Sequence, residues 1–264
     1  MKTLERLQYE KTDVSKKLGA RVVNWTIREP EEQISNEIAL VVPGIMAKRR
    51  LYNPYARDLA RQGITSVTMA HEGASLVCAN EVSMVVKELT DRLQKPIRLV
   101  GHSLGGMHAT MAALEQPEEV SGLLLMQPAG YGGVHPFHFA SSLRDRPDNT
   151  HIPDEFRMMA DGLDYLISSR PNELMKTIIM ASRHCVINEA QNLDESIQRD
   201  ALIFLHDRLI WPGQVRRGLA HAGFQCCILD DDAVSGHNAI MYRSQAVAMA
   251  TTEIMVKDDF ALAS

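Results

Sequence analysis

The stretch LVGHSLGGMHATMAAL, residues 99–114, decides how the rest of the chain is read. An apolar run, PIRLVGH (96–102), has the length and composition of a buried strand, and Leu104 to Glu115 reads as a helix. Between them Gly101-His102-Ser103-Leu104-Gly105 fits the pattern G-x-S-x-G. A strand that turns at once into a helix lifts the side chain at the turn above the sheet. The residues two before and two after it then lie too close to their neighbours for a Cβ, so both must be very small. A helix that starts right after the serine also aims its N-terminal N–H groups at any anion formed there. Ser103 is therefore the candidate nucleophile, and Leu104 the candidate for one oxyanion-stabilising N–H.

Outward from this turn the pattern alternates. Strands are predicted at 21–28, 37–44, 64–70, 96–102 and 120–128, with helices near 53–62, 74–93 and 104–115. EIALVVPG (37–44) is an apolar run after Glu37, stopped by Pro43-Gly44, as suits a parallel strand covered on both faces. From about Ala129 to Arg199 the alternation gives way to aromatics, prolines, glycines and two helical patterns, near 155–167 and 172–181. It then resumes with a strand at 201–207, a helix near 213–221, a strand at 224–230 and a final helix from about 238 to 256. The last residues, KDDFALAS, read as a frayed end. The expected architecture is α/β: a mostly parallel central sheet with helices on both faces and an inserted helical cap. The core is expected over 1–128 and 200–264, and the cap over 129–199.

A serine hydroxyl needs a base, and the base needs an acid to orient it. Of ten histidines, His237 stands out. It lies past the last strand and directly before the last helix, in a loop that opens at the same sheet edge as Ser103. His102 neighbours the serine and is expected to point the other way. Asp207 ends the strand ALIFLHD and is the favoured acid, with His206 beside it as a bystander. Asp230-Asp231-Asp232 after the next strand is the alternative. A tetrahedral intermediate needs a second N–H donor. The loop after the 37–44 strand offers Ile45 first and Met46 next.

The order serine, acid, histidine, the GHSLGG turn, the PGI loop and the late insertion resemble the α/β-hydrolase fold family, in particular its esterase and lipase-like members with a helical cap. The resemblance runs from about residue 21 to 256, and its specific motifs are at 43–46, 101–106, 207 and 237. It implies Ser103 as nucleophile, His237 as base and Asp207 as orienting acid. The chain departs from the family pattern in carrying Pro43 before Gly44 and no glycine close before Asp207.

The expected chemistry is hydrolysis of a carboxylic ester of a small or lipid-like substrate through an acyl-enzyme on Ser103, with no cofactor. Thioester cleavage, carbon–carbon bond hydrolysis, acyl transfer to an alcohol, or ligand binding without turnover are the alternatives on the same fold. A dehalogenase or epoxide hydrolase would want an aspartate at position 103. His71-Glu72 and His135 with His138 lack the full ligand set of a zinc site. Met46, Met107, Met158 and Met159 are candidates for a pliable pocket wall or for core filler, and Arg157 and Lys48-Arg49-Arg50 for carboxylate contacts. A net charge of −5 over 264 residues speaks against a nucleic-acid partner. The polar N-terminus and the absence of a long apolar run predict neither a leader nor a membrane span. Four cysteines, two of them adjacent, fit a reduced cytoplasmic protein better than a disulfide framework.

Overall fold

The computed structural model describes residues 8–18, 21–44, 49–71, 78–132, 185–230 and 236–262. Eight strands among them form one sheet: β1 (Tyr9–Leu18), β2 (Arg21–Pro30), β3 (Ile38–Val42), β4 (Thr65–His71), β5 (Ile97–His102), β6 (Val120–Met126), β7 (Gln198–Phe204) and β8 (Gln225–Leu229). The helices are α1 (Arg49–Ala60), α2 (Ala79–Leu93), α3 (Leu104–Glu115), α4 (Ile187–Gln191), α5 (Pro212–His221), α6 (Ala239–Tyr242) and α7 (Ser244–Leu262). The strand order is β1-β2-β4-β3-β5-β6-β7-β8. β1, β2 and β4 pair antiparallel, and every other pair is parallel.

Side chains alternate between the two faces of a strand, and the sheet sorts its core accordingly. Ile97 and Leu99 of β5 join Leu40, Leu123, Leu125, Ala201 and Ile203 in the larger apolar cluster, under α2, α3 and α5. Val100 joins Val41, Leu124, Leu202 and Phe204 in the other, under α1 and α7. β3 and β5 are buried on both faces along their whole length, which is why β3 reads as an unbroken apolar run and β5 as an apolar run interrupted only by Arg98 and His102. Tyr55 of α1 is fully buried, and its hydroxyl pairs with Thr251 of α7 at 2.8 Å. That bond satisfies the one polar atom the ring carries inside.

The chain leaves β3 toward β4 on one side and later returns to place β5 on the other. Such a switch point opens a crevice at the carboxyl ends of the strands. The loops after β3, β5, β6 and β7 all emerge there.

Outside the expected cap, whose helices near 155–167 and 172–181 lie outside the described residues, the strands and helices expected from the sequence are present, with three differences. β1 was hidden by its polar composition. It is an edge strand, laden with charges that discourage further pairing, and Val14 packs against the core. The last helix is two: α6 ends before Arg243, whose φ of −121° and ψ of 39° break the helical path. α7 then runs to Leu262, through the residues expected to fray. Of the expected cap, residues 133–184 lie outside the described residues. Its described flanks are built into the core: Ala129, Tyr131, Val186, Ala190, Leu193 and Ile197 are all buried in the larger cluster.

Two of the four cysteines, Cys226 and Cys227, sit on β8, the first packed on the core and the second exposed, and all four are free thiols. Among the described residues there is no cluster of three metal-binding side chains. No described helix is long and apolar enough to cross a membrane.

Candidate active site

Ser103 caps α3 with φ 55° and ψ −124°, a conformation that costs a non-glycine residue about 1–3 kcal/mol. The neighbours show why the flanking residues are glycines. A Cβ on Gly101 would stand 2.6 Å from Gly106 Cα, and one on Gly105 would stand 2.2 Å from the Val42 carbonyl oxygen. α3 is thus pressed against β5 and β3, and its N-terminus rises directly under the serine. The turn is tied down from outside. The Ser103 N–H donates to Met126 O at 3.1 Å, and Ser103 O accepts from Ala129 N at 2.9 Å.

Three side chains meet above it. His237 Nε2 lies 3.1 Å from Ser103 Oγ, and His237 Nδ1 lies 2.6 Å from Asp207 Oδ2. A carboxylate oxygen accepts, so Nδ1 carries a proton, and Nε2 faces the serine hydroxyl. Asp207 is itself oriented, because its Oδ1 accepts the N–H groups of Leu209 at 2.7 Å and Ile210 at 3.0 Å. All three residues are buried, at 4–5 % exposure. Low polarity around them strengthens each of these bonds.

Asp207 does not end β7 as the sequence suggested. The strand stops at Phe204, and Asp207 sits on the following turn, with its N–H donating to Phe204 O at 3.2 Å. His206 is exposed and lies 3.9 Å from Asp230 Oδ1, itself exposed. Asp230 is therefore turned to His206 and solvent, while Asp231 and Asp232 lie outside the described residues.

Leu104 is the first residue of α3, so its N–H has no acceptor within the helix. Ile45 and Met46, the candidates for the second donor, lie outside the described residues, as do Met158, Met159 and Arg157. Gly44 is described, and it comes close to the serine: a Cβ there would stand 3.0 Å from Ser103 Cβ. The β3 loop therefore passes against the nucleophile turn. Met107 is buried in the larger core cluster.

Gln127 and Tyr52, which sequence reasoning did not single out, and His102, which it set aside as pointing away, support the site. Gln127 is fully buried with φ 43°. Its Oε1 accepts the Phe204 N–H at 3.0 Å, and its Nε2 donates to Ile210 O at 2.6 Å. The acid turn is thereby held at both ends. His102 also points away from the serine, as expected, but it is not idle. Its Nδ1 lies 2.7 Å from the Tyr52 hydroxyl and its Nε2 lies 2.8 Å from the carbonyl oxygen of His237. The two imidazole rings are 4.9 Å apart. Burial, helped by the nearby His237, pushes the His102 pKa down to about 3, so the ring is neutral at ordinary pH. Burial pushes the Tyr52 phenol well above its usual range. Nothing local in the sequence marks Gln127, His102 or Tyr52, since their partners come from other elements.

The family model described as alpha/beta hydrolase fold matches residues 58–161. No curated protein matches. Among solved structures, the chain is similar to carboxylesterase CesB (YbfK) from Bacillus subtilis, at 14 % identity over 95 % of this chain and 92 % of that one, with a TM-score of 0.66. It is similar to the esterase EaEST from Exiguobacterium antarcticum, at 12 % identity over 94 % and 98 %, with a TM-score of 0.68. It is also similar to the thioesterase domain from the curacin biosynthetic pathway, at 15 % identity over 91 % and 99 %, with a TM-score of 0.61. Strand order, the strained serine turn and these likenesses agree: the chain has the α/β-hydrolase fold.

Proposed function

We propose that this protein is a serine hydrolase that cleaves a carboxylic ester through an acyl-enzyme on Ser103. The observation that carries the reading is the unbroken series from Ser103 Oγ to His237 Nε2, and from His237 Nδ1 to Asp207 Oδ2. His237 takes the serine proton as Oγ attacks the carbonyl carbon, and Asp207 stabilises the imidazolium that forms. The oxyanion is met by the Leu104 N–H at the positive end of α3 and by an N–H of the 45–46 loop. His237 then gives its proton to the departing alcohol oxygen. Water, deprotonated by the same imidazole, attacks the acyl carbon and releases the acid and the free serine. No step requires a metal or an organic cofactor.

A thioester would pass through the same steps with a thiol leaving, and the likeness to a thioesterase domain is the observation that favours this second reading. A small-molecule acyl substrate, reached from water, suits either reaction. We also propose that the segment between β6 and β7 caps the site, and that the protein works in a reducing compartment such as the cytoplasm, in line with its free thiols.

The deciding experiment is intact mass after incubation with a fluorophosphonate, for wild type and Ser103→Ala, beside hydrolysis of p-nitrophenyl esters and acyl thioesters of several chain lengths. One adduct on wild type, absent from the variant, with turnover of an ester, is the expected result. An unmodified wild type without turnover would overturn the reading in favour of a ligand-binding member of the fold.

A further inference from the structure

We propose that Tyr52 and His102 form a positioning link that joins the oxyanion loop to the base loop across the buried face of the sheet. The link starts at the Gly44 N–H, which donates to the Tyr52 hydroxyl oxygen at 2.9 Å. It continues from Tyr52 to His102 Nδ1 at 2.7 Å and from His102 Nε2 to the His237 carbonyl at 2.8 Å.

Hydrogen-bond chemistry fixes the direction of every bond. The His237 carbonyl can only accept, so His102 Nε2 carries its proton. A neutral imidazole then has a bare Nδ1, which can only accept, so the Tyr52 hydroxyl donates to it. The phenol oxygen keeps lone pairs free for the Gly44 N–H. This assignment satisfies all three bonds with neutral groups, and it is the form that burial favours: Tyr52 and His102 are each 1 % exposed. An ionised ring or phenolate here would have to shed its hydration.

The geometry explains why these two residues are chosen. β5 alternates, so Gly101 faces α3 while His102 faces α1, where Tyr52 projects from the first turns of that helix. His102 is thereby one peptide from the proposed nucleophile, one hydrogen bond from the backbone of the proposed base, and two from the loop after β3. Each catalytic loop leaves a different strand, and the ladder stops short of the loops themselves, its last β3–β5 pair being Val42 with Gly101. The link joins the loops beyond that pair. It also engages the Gly44 N–H, which removes that group from the candidate oxyanion donors and leaves the next N–H groups of the loop for the task.

The catalytic consequence rests on the serine-hydrolase reading, whereas the link itself does not, and the test separates them. Tyr52→Phe keeps the ring and removes the hydroxyl. His102→Asn keeps an acceptor near Nδ1 and removes the donor to His237. Each is expected to lower kcat about ten-fold, the worth of one neutral hydrogen bond, with KM nearly unchanged. The double variant should lose no more than the worse single variant, because either change breaks the same chain. Imidazole nitrogen NMR on the wild type should find His102 protonated at Nε2 alone, and Tyr52→Phe should move the His237 resonances. Wild-type His102 protonated at Nδ1, unmoved His237 resonances, or additive losses in the double variant would each overturn the link. A wild type that resists fluorophosphonate while the resonances move together would instead overturn the reaction and leave the link standing.

Discussion

Gln127 directly follows β6 and Asp207 lies on the turn after the neighbouring β7, and the first holds the turn that presents the second. The Gln127 amide bridges Phe204 N–H and Ile210 O, the two ends of the turn, while Asp207 Oδ1 gathers the N–H groups of Leu209 and Ile210 within it. Replacing Gln127 with leucine leaves a buried donor and a buried acceptor without partners. The expected cost is about 2–4 kcal/mol of stability, with kcat falling further than the loss of folded protein explains. Urea unfolding and active-site titration on the same sample measure the two effects.

Asp207→Asn tests the orienting role directly. The amide no longer enforces a proton on His237 Nδ1, and the imidazole is free to turn its protonated nitrogen toward Ser103. In a triad such a change lowers kcat by about 10⁴-fold. Ester turnover measured against the Ser103→Ala background would show it, and a loss below about ten-fold would assign the acid to another residue.

The glycines of the serine turn and of α5 should respond in opposite ways. Gly105→Ala drives a methyl group to 2.2 Å from the Val42 carbonyl, which only a backbone shift can relieve, whereas a Cβ on Gly213 meets nothing within 4 Å. Gly105→Ala is expected to destabilise by more than about 3 kcal/mol, near the upper end of single substitutions. Gly213→Ala, in the first turn of α5, should stabilise by about 0.4–1 kcal/mol. Thermal melting of both variants settles the comparison.

His102 makes a contribution to stability that depends on pH. Its folded pKa, about 3, lies below the ordinary imidazole value of 6.5, so the unfolded chain binds a proton that the folded one refuses. That contribution is complete above pH 6.5. It is lost as pH falls from there toward 3, at about 1.4 kcal/mol per pH unit. The difference in unfolding free energy between wild type and His102→Asn should therefore shrink over this window, and chemical unfolding at several pH values will read it.

Far from the site, Arg98 is buried at the opposite ends of the strands. It pairs with Glu37 at 2.7 Å and Asp200 at 3.2 Å, and Gln198 also accepts from it. Arg98→Met leaves both carboxylates buried without this partner. A loss of about 3–5 kcal/mol is expected, with kcat per folded molecule unchanged. The variant thus serves as the control for Gln127.

Much of this was legible before any coordinates. Runs such as EIALVVPG and PIRLVGH are largely apolar, with Glu37, Arg98 and His102 the exceptions, because parallel strands are covered on both faces, and that composition identifies them locally. The G-x-S-x-G turn is legible for a similar reason: the steric demand falls on residues two positions away, within the same pentapeptide. Asp207 and His237 could be named because chain order places their loops at one sheet edge. β1 could not, since a charged edge strand resembles any polar segment.

What only the tertiary structure decided is the set of partners. Asp207 and His237 are 30 residues apart, and their bond of 2.6 Å exists because the fold brings the turn after β7 against the residues just before α6. Tyr52 meets His102 across 50 residues, and Gln127 meets Phe204 across 77. Local sequence determined which backbone conformations were possible and which side chain would be raised at the turn. It carried no record of these contacts, because a hydrogen bond between distant elements depends on how helices settle on a sheet.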